Sequence, residues 1–337
     1  MSSADTSIAG RSTRDWPVDP GTATVALLLV GAAIFLLVGC LRSTNFAQYT
    51  VQGLALGSVY GALALALVLV YRATHVINFA QGELAMLTTY IAYQLMLWGL
   101  SYWVAFAATL AIAFVLGTGL QVTLIRPVQR SVIAVVIVTV GLFILIDGIV
   151  NWVWGADPKF MHSPFGFGSF DVGGVAILHK YVWMMGIVLV SALLVWALFR
   201  FTKLGLGMRA AALRPAAASL VGVRVDSMLA IGWGLAAVLG AVAGLMAEPS
   251  QFSLSPTFMQ PILVYAFAAA VLGGLESPVG ALVGGLAIGV SLTLVVGYVP
   301  QKYIGSELQL PLAFAVLILI LLVRPTGLFG RRDVRRV

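Results

Sequence analysis

Unbroken apolar runs, each near the length a helix needs to cross a hydrocarbon layer, recur from one end of this chain to the other. A layer about 30 Å thick takes roughly 20 helical residues. Runs of that order fall at residues 22–41, 50–71, 83–98, 102–124, 132–153, 181–199, 228–247, 262–275, 279–297 and 310–323. They are continuous and rich in Leu, Ala and Val, without the strict alternation a membrane barrel requires, so helices are expected. The expected fold is an all-α integral membrane protein, a polytopic bundle of about ten transmembrane helices. Of 337 residues 61% are hydrophobic and 9% charged, against roughly half and a quarter in soluble domains. That leaves no room for a separate soluble domain.

The net charge of +7 invites a nucleic-acid reading, but the basic residues sit between apolar runs and form no soluble basic face. Orientation accounts for them better. With even-numbered loops and both termini in the cytoplasm, all but Arg42, Lys159, Lys180 and Lys302 of the 19 Lys and Arg fall inside, as the positive-inside rule expects. Trp98, Tyr102, Trp103, Trp152, Trp154, Tyr181, Trp183 and Tyr298 then gather at the outer interface, where amphipathic rings settle. Residues 1–21 are polar and read as a cytoplasmic tail. Leu37-Val38-Gly39-Cys40 resembles a lipoprotein cleavage signal, but its apolar run is longer than such signals carry, so Cys40 reads as a helix residue.

Glycines at four-residue spacing mark close helix contacts: Gly53, Gly57 and Gly61; Gly240 and Gly244; Gly280 and Gly284; Gly285 and Gly289. The first two ladders lie five spans apart. Five is odd, so two such halves have opposite orientation, the relation of an inverted repeat. The outer loop, 154–180, carries Pro158, Pro164, Gly166, Gly168, Gly173 and Gly174, a composition of turns.

Enzymatic chemistry finds little support. The four lysines are followed by Phe, Tyr, Leu and Tyr, so no Walker-type ATP site is present. His75, His162 and His179 lack ligand spacing with one another and with the single cysteine, so neither a metal site nor a cofactor is expected. Asp147 is the one acid well inside a run and has no chain of titratable neighbours. Glu83, Glu248 and Glu276 lie at run ends, where headgroups and water can solvate them.

Two segments rise above packing. The first passes from the apolar helix containing Ser58 and Tyr60 into His75-Val76-Ile77-Asn78-Phe79-Ala80-Gln81-Gly82-Glu83, a polar, non-periodic stretch. Irregular backbone near membrane depth lines a cavity or is buried in protein. Ser58, Tyr60, Asn78, Phe79, Gln81, Gly82 and Glu83 are therefore candidate lining for a solute path. The second runs from Lys203 to Val223. Pro215 suits a first helical turn, the alanines propagate it and Gly222 suits its C-terminal cap, giving about two turns that need a partner for stability.

At these segments the chain resembles the permease subunits of branched-chain amino acid ABC importers, particularly the H-type member. Ile77-Asn78-Phe79-Ala80-Gln81-Gly82-Glu83 is similar to the family's I-N-F-A-[HQ]-G-[ED] signature. Arg209-Ala210 through Gly222-Val223 resembles its coupling segment. Val271-Leu272-Gly273-Gly274-Leu275-Glu276-Ser277-Pro278-Val279-Gly280-Ala281 looks like its glycine-rich motif, and Arg324-Pro325-Thr326-Gly327-Leu328-Phe329-Gly330 like its C-terminal ending. The resemblance implies a permease domain over 50–323, with 22–41 an extra N-terminal helix and 324–337 a basic cytoplasmic tail. It also implies a bacterial cytoplasmic (inner) membrane location. Partners would be a second homologous permease subunit, two ATP-binding subunits and an extracytoplasmic solute-binding protein, with no nucleic acid. Arg209, Ala210, Pro215, Ala218, Leu220 and Gly222 would couple to the ATPase, and Gly53, Gly57, Gly61, Gly273, Gly274, Gly280 and Gly284 would pack helices. Glu276 stands where the family usually has glycine, and Leu213, Arg214 and Ala216 replace the acid common at the start of the coupling segment. The solute is thereby left open among branched-chain and other amino acids, urea and short amides. The competing class is an ion-coupled secondary transporter using Asp147.

Overall fold

The structure, a computed structural model, describes residues 36–40, 43–129, 131–166, 168–251 and 253–298, with scattered positions from 310 to 329. The helices are α1 (Thr44–Thr74), α2 (Gln81–Leu97), α3 (Tyr102–Leu120), α4 (Val132–Trp154), α5 (His179–Phe201), α6 (Lys203–Leu213), α7 (Pro215–Leu220), α8 (Val225–Gln251), α9 (Met259–Gly273) and α10 (Pro278–Tyr298). α3 runs on through a π-helical turn, Gln121–Ile125, to Val128. Among the described residues six helices, α1, α3, α4, α5, α8 and α10, are long and apolar enough to cross a membrane. The chain is a polytopic helical membrane protein. The described residues do not show all ten expected spans: α2 and α9 have 17 and 15 residues, and most of the run at 22–41 and half of that at 310–323 lie outside the described residues.

All the helix ends at Arg72, Arg126 and Arg200 lie on one side of the bundle, and Trp98, Tyr102, Trp154 and Tyr181 on the other, as the alternating course of the chain dictates. These are called the basic and aromatic ends. α1 is the central post. Ser43 caps it by accepting from the Phe46 N–H at 3.4 Å, and it stops at His75, whose φ of 54° sends the chain out of the helix. The most apolar stretch of α1 is 89% buried within the protein, against 22% for α4 and 17% for α5. α1 therefore belongs to the interior of the bundle, while α4 and α5 present their faces outward.

α1 packs most extensively on α10, and α8 on α3; α1 and α8 also meet. The sequence explains the first contact. A Cβ on Gly57 would stand 2.7 Å from the Gly285 carbonyl oxygen and 2.8 Å from Leu286 Cα, and one on Gly61 would stand 3.2 Å from Leu282 Cα. Gly285 and Gly289 face Gly61 and Gly57 in return. Two small-residue ladders thus interlock backbone to backbone, the arrangement that maximises van der Waals contact where lipid removes the hydrophobic drive. Thr293 Oγ1 closes the contact by donating to the Tyr49 carbonyl at 3.0 Å. The α3–α8 contact repeats the device with Gly117 against Ala237 and Gly234 against Phe114.

The outer loop departs from the expectation of turns alone. β1 (Ser169–Val172) and β2 (Val175–Leu178) form an antiparallel hairpin. Gly173 and Gly174, with φ of 63° and 83°, supply the two left-handed positions of its turn. Gln48 of α1 clamps Ala176 through both amide atoms, at 2.7 and 2.9 Å, which fixes the hairpin to the bundle.

Candidate functional site

The non-periodic stretch after α1 is not a surface turn. Val76, Asn78 and Ala80 are 5%, 1% and 0% exposed, so backbone that belongs to no helix is enclosed by the bundle, the condition under which membrane proteins tolerate it. Its polar groups are satisfied internally. Asn78 Oδ1 accepts the Ala80 N–H at 3.1 Å, Asn78 Nδ2 donates to Gln81 Oε1 at 3.0 Å, and Gln81 Nε2 donates to the Ala236 carbonyl of α8 at 3.0 Å. Gly240 makes room for this clasp: a Cβ there would stand 2.8 Å from Gln81 Nε2. A helix start, a side-chain pair and a gap in the neighbouring helix are thereby one unit.

The other residues of the candidate path lie around that unit. Ser58 Oγ donates to the Ala55 carbonyl of its own helix at 2.6 Å. Tyr60 stands 5.1 Å, ring to ring, from Tyr265 of α9. Phe79 is 37% exposed and stands 5.7 Å from Phe267. Gly82 lies against Leu263. Glu83 is 1% exposed with neither carboxylate oxygen in a hydrogen bond of good geometry; Gln260 and Asp147 are within its electrostatic reach. Two expectations are corrected here. Glu83 is enclosed rather than solvated, because α2 begins inside the bundle. Asp147, whose Oδ1 is also buried without a partner, has a titratable neighbour after all, brought from another helix. Glu248 is likewise buried, at 4% exposure, whereas Glu276 is exposed as expected.

At the basic end, α6 and α7 form an elbow. Thr202 caps α6 by accepting from the Gly205 N–H at 3.0 Å. Arg209 Nε donates to the Gly205 carbonyl, and Ala210 is half-buried beside it. Pro215 opens α7 as its spacing predicts. Gly222, at φ 84°, closes it, with the Gly222 and Val223 N–H groups donating to the Ser219 and Ala218 carbonyls, a Schellman cap. α6 was not foreseen. Ala218 is only 4% exposed and packs on this chain, whereas Leu213, Leu220 and Val221 are 81%, 88% and 78% exposed. Ala218 anchors the elbow and the leucines and valine form its outward face.

The glycine-rich motif makes the α9–α10 turn. Gly273 and Gly280 meet backbone to backbone, Gly284 packs on Ala269, and Gly274 takes φ 95°. Leu328 and Phe329 N–H groups donate to the Leu272 and Gly273 carbonyls at 2.8 and 3.1 Å. The Gly-Leu-Phe ending thus satisfies carbonyls that the end of α9 leaves open, a role with no periodic signal in sequence.

Comparison with known proteins agrees with this geometry. The family described as "Branched-chain amino acid transport system / permease component" matches residues 49–322. The high-affinity branched-chain amino acid transport system permease protein LivH of Salmonella typhimurium is 30% identical over 309 residues, covering 87% of this chain and 98% of that protein. The corresponding protein BraD of Pseudomonas aeruginosa is 30% identical over 310 residues, with the same coverage. The ribose import permease protein RbsC of Escherichia coli is 29% identical over 241 residues, covering 69% of this chain and 73% of that protein. The buried signature at the start of α2, the elbow at the basic end and a match spanning nearly every described helix lead to one conclusion: this chain belongs to the family of branched-chain amino acid transport permease components.

Proposed function

We propose that the chain is the H-type permease subunit of an ATP-driven importer for branched-chain or related amino acids in a bacterial cytoplasmic membrane. In this reading the basic end and both termini face the cytoplasm. The chain pairs with a second homologous permease subunit, receives solute at the aromatic end from an extracytoplasmic binding protein, and carries two ATP-binding subunits below. It needs no cofactor and performs no catalysis itself. Ser58, Tyr60, Asn78, Phe79, Gln81, Gly82 and Glu83 form the wall of the path in a state that opens the clasp. The matching contacts, α1 on α10 and α3 on α8, support two halves related as an inverted repeat.

The observation that carries the reading is the elbow. Leu213, Leu220 and Val221 are exposed, and Leu213 borders a cavity of ≈ 410 Å³ lined also by Arg72, Arg209 and Glu276. Apolar side chains raised on a capped six-residue helix are costly in water and suit a groove in a partner. Replacing Leu220 or Val221 by Glu places a charge on the docking face without entering this chain's packing. Co-purification of the ATP-binding subunits is expected to fall at least tenfold, with the variants still monodisperse in detergent. Undiminished co-purification in both variants would make the elbow a plain connector.

A further inference from the structure

At the aromatic end, a cavity of ≈ 260 Å³ is lined by Phe160, Met161, His162, Ser163, Gly166, Lys180, Glu248 and Pro249. It joins an ammonium and a carboxylate in one recess. Lys180 Nζ donates to the Pro249 carbonyl at 3.3 Å. Pro249 lies in the last turn of α8, where helix carbonyls have no partner within the helix. The Met161 N–H and the Lys180 ammonium lie within electrostatic reach of the Glu248 carboxylate, whose Oε2 is buried with no hydrogen-bond partner in a residue 4% exposed. The Tyr102 hydroxyl, also buried without a partner, lies within the electrostatic reach of the same carboxylate. A buried carboxylate with an open oxygen is costly unless a cation or donor completes it.

The recess is held rigidly. Lys159 and Leu254 pair backbone to backbone at 2.9 and 2.8 Å, and Tyr90 donates to the Leu254 carbonyl, which pins the loop over α8. Phe165 then stacks on Trp183 at 5.9 Å and meets Trp103 edge-on at 6.2 Å. Its volume is just below the roughly 300–1,000 Å³ typical of drug-sized sites, a fit for a smaller molecule.

We propose that this recess is an outer acceptor site for a free amino acid zwitterion. The ammonium of the ligand meets the Glu248 carboxylate where it borders the cavity, its carboxylate meets Lys180 Nζ, and its side chain lies along Phe160, Met161 and Pro249. The inference rests on the amino-acid importer reading above and adds to it where this chain first holds the solute. It requires both charges of the ligand at once, so a molecule carrying only one is a poor ligand.

Binding to the purified full chain in nanodiscs tests this without the transport complex. Trp103 and Trp183, packed on the loop through Phe165, report through intrinsic fluorescence. L-leucine is expected to give a saturable change, while isoamylamine and 4-methylpentanoate, which keep the side chain and one charge each, bind at least tenfold more weakly. Glu248→Gln and Lys180→Met, checked for helicity and monodispersity, should each weaken leucine at least tenfold. Glu248→Gln removes a buried charge and Lys180→Met keeps the apolar stem, and the helicity and monodispersity checks separate a lost site from a lost fold. No saturable response to leucine, equal binding of the single-charge analogues, or wild-type affinity in both variants would overturn the proposal. Leucine binding with this pattern but no ATP-driven uptake by the assembled complex would instead count against the importer reading and leave the site standing.

Discussion

Gly57→Leu is expected to abolish stable folding of the bundle. The new side chain would have to occupy the space of the Gly285 carbonyl and Leu286 Cα, 2.7 and 2.8 Å from where its Cβ must stand. Neither is a flexible side-chain end, so relief requires α1 and α10 to separate along their whole ladder. Overpacking in a tight core costs about 1–3 kcal/mol, and more where backbone must move; loss of the interlocked contact adds to that. Gly141 and Gly148 of α4 supply the control, because a Cβ on either meets nothing within 4 Å. Thermal unfolding in detergent should show Gly57→Leu with a greatly lowered midpoint or no recoverable fold, and Gly141→Leu near the wild type. Equal midpoints would remove the ladder from the account.

The second large effect is expected at the α2 clasp. Gln81→Leu deprives Asn78 Nδ2 of its acceptor and removes the tie from α2 to the Ala236 carbonyl, which keeps only its own helical donor, in a site that is 1% exposed at Asn78 and Gln81. A buried polar group so stranded costs about 1–3 kcal/mol. Gly240→Ala reaches the same end from the opposite helix, since its methyl would stand 2.8 Å from Gln81 Nε2. If the clasp is one unit, the two changes are strongly non-additive: the double variant should be little worse than the more damaging single one. Midpoints that add independently would show that Gln81 and Gly240 act separately.

The sequence announced the long helices because an apolar run of 20 or more residues is a property of composition, not of context. It did not announce that α2 begins inside the bundle. Whether an apolar run begins at the boundary or inside the bundle depends on what encloses its start, and for α2 that enclosure comes from α8, 155 residues away along the chain at the Gln81–Ala236 bond. For the same reason Glu83 read as a solvated helix end although it is buried. The glycines of α1 declared a close contact but not its partner, since spacing carries no address. Pro215 and Gly222 declared both ends of α7, because their backbone preferences are local. Which face of α7 turns outward was not legible: Ala218 and Leu220 stand two residues apart, yet one is 4% and the other 88% exposed. The cavity at Lys180 and Glu248 was the least visible, assembled from two helices and a loop with no motif shared among them.

ATP dependence of uptake tests the central claim most directly. In proteoliposomes holding this chain, its paired permease, two ATP-binding subunits and the binding protein, labelled leucine should accumulate only when ATP is supplied to the ATPase side. Asp147→Asn should retain that uptake, and the chain alone should accumulate nothing under a proton or sodium gradient. Gradient-driven accumulation by the chain alone, lost in Asp147→Asn, would contradict the account and establish an ion-coupled carrier.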